Sequence, residues 1–344
     1  MAVSSFEKLA RVSWAYQESC ILTAAAELDV FSVIMERGNS LAASEIAEKT
    51  DTDLRGMTTL LDALAALEYL TKDGADTNAL YGVPEAYREP LDSRHAATFV
   101  PMLRHTACVQ RSWVQLAKTV KEGKKQERPA SILGEDQDRM SFIMAMNSMP
   151  RSLIDETVAS LLQAKVLSFP KDDIRFLDIG GASGTYTLAF LQTLPHSRGA
   201  IFDLPVGIEA AKKRFLGSEY ENRVELFSGD FYLDELPSGF DFAWVSAIIH
   251  QMNREESREL YGKAFCALNP GGRIAVRDYM MNATRTAPVS GALFGINMLV
   301  GTDSGMVYTY DEVKADLQAV GFKDVTYAVP ADTMFAVVAA IKPT

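Results

Sequence analysis

The chain has 344 residues, 48% hydrophobic and 23% charged, with a formal net charge of -11. That is enough sequence for two or three globular domains, and the acidic balance argues against nucleic acid as a partner of the whole chain. No apolar run reaches the roughly 18 residues of a membrane span, the N-terminus lacks a basic-then-apolar secretory pattern, and the scattered Cys20, Cys108 and Cys266 have no CxxC spacing, so a cytoplasmic protein without a disulfide framework or metal site is expected.

Residues 1–100 read as helices followed by a hairpin. Residues 42–49 and 53–70 carry apolar side chains at helical spacing, joined by the turn Thr50-Asp51-Thr52. YLTKDGADTNALYGV then offers two strand-like ends around Asp73-Gly74. Helix, turn, helix and wing give a winged-helix reading. A groove-reading helix needs positive charge against phosphate, yet the second helix sets Arg55 against Asp53, Asp62 and Glu68. Packing against protein is therefore expected of this domain rather than DNA binding. Residues 101–165 read as a helical connector, interrupted by the polar tract KEGKKQERPASILGEDQDR.

Residues 166–344 change in texture. Short apolar strands alternate with helices: RFLDIG, RGAIFDL, RVELFSG, FDFAWVSAII and GGRIAVRDYM. Such alternation predicts a parallel sheet with crossover helices. DVTYAVP and MFAVVAAIKP are parted by only a few residues, including Ala331-Asp332-Thr333, too few for a parallel crossover. The last two strands should pair antiparallel. The fold class is thus α/β, a doubly wound sheet ending in an antiparallel strand pair, behind a helical N-terminal domain.

In an open α/β sheet, ligands lie beyond the carboxyl ends of the strands. The first strand ends in DIGGASG, where Gly180 and Gly184 permit a sharp turn and a close backbone approach. The nicotinamide fingerprint Gly-x-Gly-x-x-Gly fails from Gly180, which meets Ala182 and Thr185, and from Gly181, which meets Ser183 and Tyr186. The second strand ends in Asp203, a carboxylate suited to both hydroxyls of a ribose. The alternative is that Asp203 only caps the helix opened by Leu204-Pro205. The third strand ends in Gly229-Asp230-Phe231, an acid for an adenine amino group and an aromatic to cover its ring. Asp230 is also an ordinary turn residue. Together the three strand ends fit an adenosine.

DIGGASG, FDLP at 202–205, GDF at 229–231, a histidine after the fourth strand and LNPGGRIAVRD at 268–278 together resemble the S-adenosylmethionine-dependent O-methyltransferases of the plant caffeate and animal acetylserotonin type. The resemblance covers nearly the whole chain. It implies a class I methyltransferase fold, an N-terminal winged-helix domain that builds a homodimer, S-adenosylmethionine as cofactor and a small-molecule acceptor. It implies Gly180 along the methionine part, Asp203 at the ribose, and Asp230 with Phe231 at the adenine. The family's lysine four residues before its histidine is replaced here by Ser246.

Methyl transfer from a sulfonium needs in-line alignment and, for a hydroxyl acceptor, removal of a proton. His250 follows FDFAWVSAII at the cofactor end of the sheet, while His95, His105 and His196 have no motif around them. The resemblance implies that His250 is the general base; the alternative is that it lines the pocket without titrating. Asp278 ends the neighbouring fifth strand, where it should come close to His250 and orient it. It could instead pair with Arg277 or Arg273. Gln251 and Val307 stand where the family places further acids. The methionines of MSFIMAMNSMPRSL (Met140, Met144, Met146 and Met149) suit core packing or an apolar pocket; the resemblance singles out Met146. It also points to Phe294, Asn297 and Met298 as substrate contacts, hence to a small, hydrophobic, aromatic acceptor. Three other readings are a C- or N-methyltransferase of the same fold, a nicotinamide oxidoreductase, and a non-enzymatic winged-helix regulator that senses a ligand.

Overall fold

The computed structural model describes residues 4–147 and 151–344. It divides into two compact units. The first holds the chain up to Gln115 and from Glu127 to 147, and the second holds Leu116–Gln126 and the chain from 151 onward.

The first unit opens with α1 (Ser5–Trp14), where Ser4 and Glu7 cap each other reciprocally. Nothing on α1 is buried, and Phe6, Leu9 and Val12 stand out from it. Next come α2 (Tyr16–Glu27), α3 (Val30–Glu36), β1 (Leu41–Ala42), α4 (Ala43–Lys49) and α5 (Leu54–Ala66). Asp53 caps α5 by accepting from Gly56 N at 2.8 Å. The helix ends before the expected residue 70, because Glu68 turns at φ 64° and drops Leu70 into the core. β2 (Thr71–Asp73) and β3 (Leu80–Gly82) form the expected hairpin, and β1 adds a third antiparallel strand. The core gathers Phe31, Ile34, Ile46, Leu61, Leu64 and Tyr81. α6 (Arg88–Leu91) and α7 (Val100–Trp113) follow, α8 (Leu116–Glu122) belongs to the second unit, and α9 (Glu135–Asn147) returns to the first. Arg111 of α7 ties this unit together, pairing with Glu27 of α2 at 2.9 Å and Asp138 of α9 at 3.2 Å.

The second unit continues with α10 (Arg151–Gln163), β4 (Arg175–Ile179), α11 (Thr185–Thr193), β5 (Arg198–Asp203), α12 (Pro205–Phe215), β6 (Val224–Ser228), β7 (Phe240–Ser246), α13 (Arg254–Ala267) and β8 (Leu268–Asp278). Then come β9 (Met280–Met281), α14 (Val289–Gly301), β10 (Tyr308–Thr309), α15 (Tyr310–Val320), β11 (Lys323–Val329) and β12 (Ala336–Ile341). The main sheet runs β11-β12-β8-β7-β4-β5-β6, with β4 to β8 parallel and β12 antiparallel to both its neighbours. Strand residues alternate between two cores. Leu177, Val245 and Val276 face the layer that includes Leu260 of α13 and Leu317 of α15, while Phe176, Trp244 and Ala275 face Leu161 of α10 and Phe190 of α11. Phe190 meets Phe176, Phe242 and Trp244 edge-on at 5.4–5.7 Å; deleting such a ring costs about 3–5 kcal/mol.

One pairing was not expected from sequence. β9 and β10 pair parallel, Met280 opposite Tyr308. This short ladder anchors both ends of residues 282–307 and so fixes α14 at the carboxyl edge of the sheet.

Candidate active site

Five parallel strands stop at one edge, in the order β6, β5, β4, β7, β8. At the end of β4 the chain turns through Gly180 at φ 69° and Gly184 at φ 75°, left-handed values that favour glycine. A Cβ on Gly180 would lie 2.4 Å from Ile248 Cδ1 and 3.7 Å from Phe231 Cε1. Gly180 therefore belongs to one surface with the residues that follow β6 and β7. Ala182, at φ 48°, takes the same left-handed region without being glycine.

The acids at these strand ends do different work. Asp178 is buried under the turn, where Oδ2 accepts from Thr187 Oγ1 at 2.7 Å. Burial, with a smaller push from Asp203, raises its pKa to about 7, against the lowering from Thr187. Asp203 is half-buried and accepts from Ala182 N and Leu204 N, both at 2.7 Å, one on each oxygen. It thus pins the glycine turn to β5 while each oxygen keeps a further lone pair. Burial raises its pKa as well, partly offset by those two backbone N–H groups. Asp230 Oδ1 accepts from Tyr232 N at 2.9 Å, and among the described residues Oδ2 has no partner. Phe231 tilts against Tyr232 at 5.1 Å.

Sequence reasoning missed what holds this last loop. Lys263 of α13 donates to the carbonyls of Phe231 and Asp234 at 2.9 Å and of Tyr232 at 3.3 Å. No local motif marks a lysine 32 residues away.

After β7, Ala247 turns at φ 56° and starts the short helical turn that carries His250. His250 Nδ1 lies 2.9 Å from Oδ2 and 3.0 Å from Oδ1 of Asp278. That carboxylate is buried and also accepts from Tyr279 N at 2.8 Å. Against an ionised carboxylate Nδ1 carries the proton, which leaves Nε2 as the acceptor nitrogen. Arg277 and Arg273, the other conceivable partners of Asp278, make their bonds elsewhere.

Phe294 of α14 meets the His250 ring edge-on at 4.9 Å, and Tyr279, absent from the sequence-level candidates, tilts against Phe294 at 5.0 Å. Met298 is buried on the same helix beside half-buried Asn297. Val307 is buried, and its carbonyl accepts from Arg285. Met146 belongs to the first unit, on α9, where it is 45% exposed; Met149 lies outside the described residues.

The edge fits an adenosyl sulfonium. Two acids with free lone pairs suit ribose hydroxyls and an adenine amino group. Asp203, Asp230, Phe231 and Gly180 are the residues that would hold such a cofactor.

Comparison with known proteins agrees with the geometry. Residues 113–323 match the O-methyltransferase domain and residues 11–86 the O-methyltransferase dimerisation domain. The chain is 28% identical over 318 residues to acetylserotonin O-methyltransferase of Gallus gallus, covering 89% of each. It is 28% identical over 321 residues to the tetracenomycin polyketide synthesis 8-O-methyl transferase of Streptomyces glaucescens, covering 92% of this chain and 91% of that one. Human N-acetylserotonin methyltransferase, solved in complex with S-adenosylmethionine, shares the fold with a TM-score of 0.79 at 24% identity, covering 100% of this chain and 99% of that one. The chain belongs to the family of S-adenosylmethionine-dependent O-methyltransferases.

Proposed function

We propose that the enzyme methylates a hydroxyl of a small aromatic metabolite, with His250 as general base and Asp278 as its orienter. The observation that carries the reading is the His250–Asp278 pair at 2.9 Å, placed at the strand edge beneath the aromatic pair Phe294 and Tyr279. S-adenosylmethionine supplies an electrophilic methyl group. The chain's own residues do the rest. Asp203 and Asp230 fix the nucleoside, and Gly180 leaves room for the arm that bears the sulfur. Phe294 gives a flat acceptor a ring to lie against. His250 Nε2 takes the hydroxyl proton as the new bond forms, and Asp278 stabilises the imidazolium that results. Acetylserotonin and a tetracenomycin polyketide are the compounds named for two relatives, which supports an aromatic acceptor.

The exposed apolar side chains Phe6, Leu9, Val12, Trp14 and Tyr16, with the matched dimerisation domain, support a homodimer formed through the N-terminal domain. The functional test is transfer of labelled methyl from S-adenosylmethionine to a panel of aromatic hydroxyls, amines and carbon acids. Methylation of hydroxyls that falls sharply in His250→Ala supports the reading. Preferred methylation at nitrogen or carbon, little changed by that substitution, would replace it with the C- or N-methyltransferase alternative.

A further inference from the structure

Arg277 is an anomaly in this sheet. It is the penultimate residue of β8 and only 2% exposed, yet among the described residues no carboxylate pairs with it. Its neighbour Asp278 points to the opposite face and is taken by His250. The guanidinium is clamped between the rings of Tyr186 and Phe335, at 5.1 and 4.9 Å. Nε donates to Ser246 Oγ at 2.9 Å and one terminal nitrogen donates to Tyr186 Oη at 3.1 Å. Both partners are neutral, and among the described residues Nη2 has no partner. One rung deeper on β7, on the same face, Trp244 is fully buried, and among the described residues its Nε1 also lacks an acceptor. A buried cation hydrogen-bonded only to neutral groups, with the Asp278 charge acting on it from the other face and no direct ion pair, is costly. Two unpaired donors beside the first turn of α11 ask for an anionic acceptor.

The strand order says which anion. Reading along the edge, β6 carries the adenine residues, β5 the ribose acid and β4 the glycine turn. Strands are about 4.8 Å apart, so the next positions along a bound cofactor fall over β7 and β8. A sulfonium has two further substituents beyond the nucleoside, and the sheet offers two faces there. His250 and Asp278 occupy one face, where the methyl leaves; Ser246 and Arg277 occupy the other. We propose that Arg277 receives the carboxylate of the cofactor's methionyl arm, an inference that rests on the reading of this edge as the S-adenosylmethionine site. The side chain is placed for this. It reaches back from β8 across Ser246 of β7 to Tyr186, two residues after Gly184.

The test is calorimetric and independent of turnover. The full chain is titrated with S-adenosylhomocysteine and with its decarboxylated analogue, S-adenosyl-3-thiopropylamine, which differs only in the carboxylate. The wild type is expected to bind the parent ligand about 10- to 100-fold more tightly, the range of a charge-assisted hydrogen bond. Arg277→Met is expected to remove most of that ratio by weakening the parent ligand alone, and Arg277→Lys to keep a substantial part of it. Thermal melts check that both variants fold. A wild type that binds the two ligands alike overturns the assignment, as does a ratio unchanged in either Arg277→Met or, should that variant not fold, Arg277→Gln. A wild type that binds neither ligand overturns the cofactor site itself, a separate result.

Discussion

Asp278→Asn tests the dyad through geometry alone. The native carboxylate accepts from Tyr279 N on Oδ1 at 2.8 Å and faces His250 Nδ1 with Oδ2 at 2.9 Å. In the asparagine variant the amide oxygen stays with the Tyr279 N–H, whose 2.8 Å bond is much shorter than the 3.4 Å contact of the His250 N–H with Oδ2. The amide NH₂ then faces Nδ1. Where Nδ1 accepts from that NH₂ rather than donating to the amide oxygen 3.0 Å away, the ring proton moves to Nε2, and the nitrogen facing the acceptor no longer takes a proton. A second loss adds to this, because a unit charge about 4 Å from a forming imidazolium contributes ~4 kcal/mol at an effective dielectric of about 20. With the charge only partly developed, ~2–4 kcal/mol of transition-state stabilisation disappears, a fall of roughly 30- to 1000-fold in kcat. The assay is kcat at saturating cofactor on an aromatic hydroxyl, with S-adenosylhomocysteine affinity measured alongside. Cofactor affinity should change less than about threefold. A variant that keeps kcat within about threefold of wild type would refute the orienting role.

Three other outcomes follow from single contacts. Gly180→Ala puts a Cβ 2.4 Å from Ile248 Cδ1 at φ 69°; it should cost about 1–2 kcal/mol of stability and weaken S-adenosylhomocysteine at least about tenfold by calorimetry. Phe294→Ala removes the ring that meets His250 at 4.9 Å; acceptor KM should rise about 5- to 20-fold while cofactor affinity holds. Asp178 has its pKa raised from 3.8 to about 7, so the stability it gives is complete below pH 3.8 and is lost as pH rises through 7. That loss is at most ~4 kcal/mol. Asp178→Asn should flatten the decline, gaining on wild type in denaturant melts at pH 8 relative to pH 5; parallel pH profiles would contradict it.

Local patterns made much of this molecule legible. Alternating apolar strands gave the parallel sheet, and the short link around Asp332 gave the antiparallel end. Acids at successive strand ends marked the edge because their roles are set within a few residues of each turn. The meeting of Asp278 and His250 follows from adjacent strands. What stayed hidden depends on distant pairs. The Ser246–Arg277 rung, the Lys263 clamp on the loop after β6, and the β9–β10 ladder all join segments whose sequences carry no mutual mark. The true end of α5 was hidden for another reason. Leu67, Tyr69 and Leu70 continue a helical apolar pattern, and only tertiary packing decides that Glu68 breaks it.

The measurement closest to the central claim compares His250→Ala with wild type on two phenols of similar shape, one titrating near 10 and one substituted so that it is ionised at the assay pH. If His250 removes the proton, the ordinary phenol should lose about 10²- to 10⁴-fold in kcat, while the ionised phenol, which has no proton to give, should lose less than about tenfold. Equal losses on both would show that the imidazole only shapes the pocket, and the proposed chemistry would fall.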